Sequence, residues 1–131
     1  MLTKEVLINS LRPYCSVIME YDRRNGRICV HWGGELAAGV RQRWLLPEEL
    51  REAIRSSGIT SQETEVWSRY LNAGYLRNFF ERGAESESFR MEFQGDDRRM
   101  KQYDIRVEKL DGDTLLISGR VVWEDGVDAL T

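Results

Sequence analysis

His31 is the single histidine of this chain, so any Ser/His/Asp or Cys/His nucleophile would have to be built on it, between an alternating apolar segment and the Gly33-Gly34 pair. No partner spacing supports such a site. The two cysteines, Cys15 and Cys29, belong to no Cys-x-x-Cys pair and no Cys/His cluster, which makes reduced, buried thiols the expected state and a metal site unexpected. Asp96-Asp97 and Asp111-Gly112-Asp113 fall in two separate turns without the oxygen spacing of a calcium loop. Glu48-Glu49, Glu63 and Glu65 sit where helices start and need no acid-base role there. Gly33-Gly34 lacks the Gly-Lys-Ser/Thr or GxGxxG frame of a phosphate cradle. No catalytic residue is assigned, and a non-catalytic module is the expectation.

Aromatic residues offer the other chemistry. Trp32, Trp44, Trp67, Tyr70, Phe89 and Phe93 could line an apolar ligand pocket, with Tyr103 or Arg90 as orienting polar groups. Aromatic stripes at such spacing are far more often core packing than a ligand box.

The elements that must carry these side chains follow from periodicity. Positions 3–11 place Val6, Leu7 and Leu11 on one helical stripe with Thr3 as cap and Pro13 beyond the end. From Ser16 the period is two, up to Asn25-Gly26, a tight-hairpin signal in which both residues accept positive φ. A second strand runs from Arg27 to Trp32. Irregular helical turns are expected over 35–44. Pro47 then opens a helix ending near Ser57-Gly58, and a longer helix is expected from Thr60 or Ser61 to Gly83. Alternation resumes at Phe89, Met91 and Phe93, again at Tyr103, Ile105 and Val107, and again from Leu115 to Trp123 after the Asp111-Gly112-Asp113 turn.

The chain has 131 residues, 41% apolar and 31% charged, enough for one globular core and too few for two. A formal charge of −3 gives phosphate backbones and anionic lipid no long-range attraction, so neither nucleic acid nor membrane is an expected partner. The N-terminus lacks the pattern of a secretory signal, and a cytoplasmic location is expected.

Two strands joined by a turn, short helices ending in a longer one, and a three-strand meander is an order that resembles the PAS sensory-domain family. Tyr21-Asp22-Arg23-Arg24-Asn25-Gly26-Arg27-Ile28 is similar to the family's opening hairpin, and His31-Trp32-Gly33-Gly34-Glu35-Leu36 to the exit from its second strand. Phe80-Glu81-Arg82-Gly83, Glu87-Ser88-Phe89-Arg90-Met91, Gly95-Asp96-Asp97, Tyr103 and Gly119 extend the resemblance across about residues 16–123. The family's Asp-Ile-Thr exit is absent, Val122-Trp123-Glu124-Asp125-Gly126 standing there.

The resemblance implies an α+β fold: a five-stranded antiparallel sheet, helices over one face, a small apolar cavity between them and a short N-terminal helix. The expected division is helix 1–13, PAS-like domain 14–123 and tail 124–131. It also implies a sensory or regulatory module of a larger bacterial signal-transduction protein, its effector domain lying elsewhere in the full chain, that senses a small ligand or forms a homodimer through its N-terminal helix, with Val6, Leu7 and Leu11 as the candidate contacts. The family's haem ligand stands on the long helix, yet 62–82 holds no histidine, and its flavin-reactive cysteine precedes that helix, far from Cys15 and Cys29. Haem and covalent flavin are disfavoured, and the cofactor is left unknown. A protein-binding module without ligand and, further off, a small curved-sheet enzyme are the competing classes.

Overall fold

In the computed structural model the described residues are 3–33, 40, 42–56, 65, 69–94 and 100–124, with the backbone alone at 89, 91, 93, 94, 101, 123 and 124. Strands β1 (Val17–Asp22) and β2 (Arg27–Trp32) form the opening hairpin, and β4 (Ser86–Gln94), β5 (Met100–Lys109) and β6 (Thr114–Glu124) the closing meander. The two halves join where β1 pairs antiparallel with β6, Met19 opposite Ile117. A two-residue strand β3 (Trp44–Leu45) adds to the outer side of β2, so the order is β3-β2-β1-β6-β5-β4.

Six strands therefore replace the expected five. Gln42, at φ 67, turns the chain back, and its N–H donates to the Val30 carbonyl at 2.9 Å. Pro47 begins a helix two residues beyond β3, which keeps the added strand short.

The opening turn also differs from expectation. Residues 23–26 form a four-residue loop in which Gly26 alone has positive φ. Asn25 acts through its side chain, which accepts from the Arg27 N–H at 3.0 Å, while Asp22 accepts from the Arg24 N–H at 2.9 Å.

Helices α1 (Lys4–Leu11), α2 (Pro47–Ser56) and α3 (Ala73–Glu81) divide between the two faces of the sheet. Leu50 and Ile54 of α2 and Leu76, Phe79 and Phe80 of α3 pack on Val17, Met19, Tyr21, Ile28, Val30, Ile105, Val107, Leu115 and Ile117. This is the main core. At its start α2 has Glu49 reaching back to the Leu46 N–H at 2.8 Å, and its stop near 57–58 lies outside the described residues.

The continuous helix expected over 61–83 is interrupted. Glu65, Arg69 and Tyr70 are helical, but the chain bends at Leu71-Asn72 and α3 starts afresh. Asn72 is the cause, its side-chain oxygen capping the Tyr75 N–H at 2.7 Å. The end is as expected: Gly83 at φ 70 closes a left-handed cap in which the N–H groups of Gly83 and Ala84 donate to the carbonyls of Phe80 and Phe79.

On the opposite face lies α1, so the helices are not confined to one side. Ile8 is its buried residue and packs with Ile18 and Leu116, edged by Leu7, Leu11, Cys15, Trp32 and Leu110. Because β1 and β6 are central strands covered on both faces, Ile18, Met19, Glu20 and Tyr21 are all buried, as are Leu115, Leu116 and Ile117. No helix among the described residues is long and apolar enough to cross a membrane.

Candidate functional site

Among the described residues Glu20 is the charged side chain that this two-sided burial traps. It stands on β1 between Cys29 of β2 and Leu116 of β6, and is 2% exposed. A carboxylate so placed needs strong partners, and each oxygen has one. Lys4 of α1 donates to Oε2 at 2.6 Å, and His31 Nε2 lies 2.9 Å from Oε1.

A bulge puts His31 there. Pairing along the hairpin steps from Met19 opposite Val30 to Ile18 opposite Trp32, leaving His31 as the extra residue of β2. Hydrogen bonding to Cys29 first and to Glu20 second pushes the imidazole up to about 9. At neutral pH it is a cation and donates to Glu20. Burial works to raise the Glu20 carboxyl, but the bonds from His31 and Lys4 outweigh it and hold the group below the usual carboxylate range. The bond to Glu20, ahead of the Asp111 and Asp22 charges, raises Lys4 in turn. One carboxylate thus binds two cations, one from α1 and one from β2. With both oxygens engaged and the imidazole protonated, neither group is poised as a base at neutral pH; the arrangement clasps α1 to the sheet.

At the exit of α1 is a groove of about 260 Å³ between Leu11, Tyr14 and Cys15 on one side and Arg106, Ser118 and Arg120 on the other. Ser118 lies opposite Arg106, and Arg120 opposite Asp104, which also lines the groove. Arg106 spends its Nε on Glu108 at 2.7 Å, and Arg120 reaches Asp104 only at 3.6 Å. Burial pushes the Cys15 thiol up against the pull of the Arg120 charge.

A third polar group joins α3 to β4. Tyr75 donates to Glu87 Oε1 at 3.0 Å, and Arg82 bonds the same oxygen. Burial, then Glu87, raises the Tyr75 phenol well above its ordinary range, while Arg82 first lowers Glu87. Tyr75 also meets Tyr70 edge to face, with ring centroids 5.6 Å apart.

Of the aromatic set chosen from sequence, the described side chains do not gather in one place. Tyr70 and Tyr103 are half-buried against the main core. Trp32 is on the other face, its indole N–H donating to the Cys15 carbonyl at 3.2 Å beneath the Arg12 guanidinium. Trp44 is 39% exposed on the edge strand. Phe89 and Phe93 occupy β4 positions opposite Ile105 and Lys101, and Trp67 lies outside the described residues, as does the 95–97 turn. Of the helical stripe, Leu7 and Leu11 are half-buried against the chain's own sheet and Val6 is 50% exposed. Both cysteines are free thiols, Cys29 buried and Cys15 half-buried.

Glu20 and Lys4 were absent from the sequence-based candidates. The available signal was a lone carboxylate within the otherwise apolar run Val17-Ile18-Met19-Glu20-Tyr21. No protein-family model, curated protein or solved structure matches the chain.

Proposed function

We propose that the chain is a PAS-like regulatory module whose N-terminal helix is its output element. Supporting this reading is the order hairpin, helices, meander, and above all the Glu20 clasp: a buried carboxylate whose partners come from α1 and β2 gives α1 a defined docked state that can be lost. An eight-residue helix is marginal alone and depends on such docking. In this reading a signal shifts the balance between docked and free α1, and free α1 offers Val6, Leu7 and Leu11 to a second copy.

Hydrogen exchange with light scattering tests it on Glu20→Gln, which keeps shape and removes the charge. Faster exchange confined to residues 4–11, with a rise in apparent mass at high concentration, is expected. Unchanged exchange of α1 would overturn the reading.

A further inference from the structure

We infer that the groove at the exit of α1 is a binding site for a small organic carboxylate with an apolar body. The inference deepens the regulatory reading by naming a ligand class, and binding itself does not depend on that reading.

Three donor groups converge on one face of the β5–β6 pair. Arg106 and Ser118 face each other across the strands, and Arg120 is two residues along β6 from Ser118, so all three project to the same side. Among the described residues each arginine has one carboxylate partner. Arg106 commits Nε to Glu108 at 2.7 Å, and its side chain is 56% exposed. Arg120 has its nearest carboxylate, Asp104, at 3.6 Å, beyond a good hydrogen bond. Two guanidinium forks flanking a hydroxyl match a planar carboxylate, to which such forks donate in pairs. Each of the two cations has one carboxylate beside it, Glu108 at Arg106 and Asp104 at Arg120.

The opposite wall sets the rest of the ligand. Leu11 and Tyr14 line it with apolar surface, and Tyr14 is 73% exposed, a large ring without cover. An apolar body against that wall, its carboxylate on the arginines, satisfies both sides; a bare inorganic anion leaves the wall unused. About 260 Å³ restricts the body to roughly one ring, at the lower end of small-molecule sites. Leu11 ends α1, and Tyr14 and Cys15 connect it to β1, so a ligand here touches the segment about which α1 would move.

Amide-resolved NMR titration of the full chain with benzoate, inorganic phosphate and benzylammonium tests this. Benzoate is expected to give saturable shifts at Tyr14, Ser118 and Arg120, weakened about tenfold or more in Arg106→Gln and in Arg120→Gln, as for loss of one charge-assisted pair. Both arginines are over half exposed, so the variants are expected to fold, which their spectra report directly. Absence of saturable shifts, equal binding by benzylammonium, or benzoate affinity unchanged in both variants would each overturn the site. Phosphate binding as tightly as benzoate would overturn the ligand class. Slower exchange of α1 with benzoate bound would support the link to the clasp; benzoate binding without it leaves the site standing and counts against the output role of α1.

Discussion

Glu20 and His31 make stability depend on pH in opposite directions. His31 rises from 6.5 to about 9 on folding, so the folded state holds its proton more tightly. That contribution is full below pH 6.5, declines as pH rises and is gone above about 9; it is on the order of 3 kcal/mol at most. Glu20 is lowered from 4.5, so its contribution is present above that value and is lost as pH falls below it. Urea unfolding across pH 6–10 is expected to show an alkaline decline in the native chain that His31→Gln largely removes; equal slopes for the two proteins would refute the assignment. Lys4, half exposed, contributes less, and Lys4→Gln is expected to cost about 1 kcal/mol or less in the same assay. His31 was visible as the unique histidine, and with no catalytic or metal partner at a supporting spacing a structural or solvated role was the expectation. Its protonated state depends on a bulge, which no residue pattern in Arg27–Trp32 announces.

Among the elements, α3 shows how local chemistry overrides period. The apolar spacing from Val66 to Phe79 suits one helix, yet the Asn72 side chain takes the Tyr75 N–H and starts another. Asn72→Ala is expected to lose about 1 kcal/mol. At the other end, Gly83→Ala meets no neighbouring atom, so a cost of about 1 kcal/mol would come from φ 70 alone. Gly112→Ala, in open space at ordinary φ, is the control and is expected to change stability little. Urea midpoints of the three variants settle the comparison, and a Gly83 variant as stable as the control would contradict the strained-cap account. The stop at Gly83 was legible because the left-handed cap is a property of the residue itself. The restart at Asn72 was masked by good helix formers on both sides.

Across the whole molecule the two faces of the sheet are unequal. The main core joins α2 and α3 to five strands, whereas α1 rests on Ile18 and Leu116 with Ile8 as its buried anchor. Phe79→Ala is expected to cost about 3–5 kcal/mol and to lower global stability, since it opens a void in the larger core. Ile8→Ala is expected to cost about 2 kcal/mol and to act first on α1, whose amides should exchange well before those of β1 and β6. Exchange of α1 only through global unfolding would show the two layers to be one cooperative unit. The hairpin, the meander and the helix starts were readable because turn residues and alternation act over a few positions. Of the alternating sets, Val17, Met19, Tyr21, Leu115 and Ile117 are in the core, whereas Val121, expected to face inward with the last two, is 37% exposed. The intervening Ile18, Glu20 and Leu116 are buried too. A period of two is the same whether one face of a strand is covered or both. Sequence alone determined the α+β class and the antiparallel order of its elements, because each rests on local backbone preference. Tertiary packing alone decided the sixth strand, the helix on the second face and the meeting of Lys4, Glu20 and His31, because these depend on which strand becomes central and what lands on it.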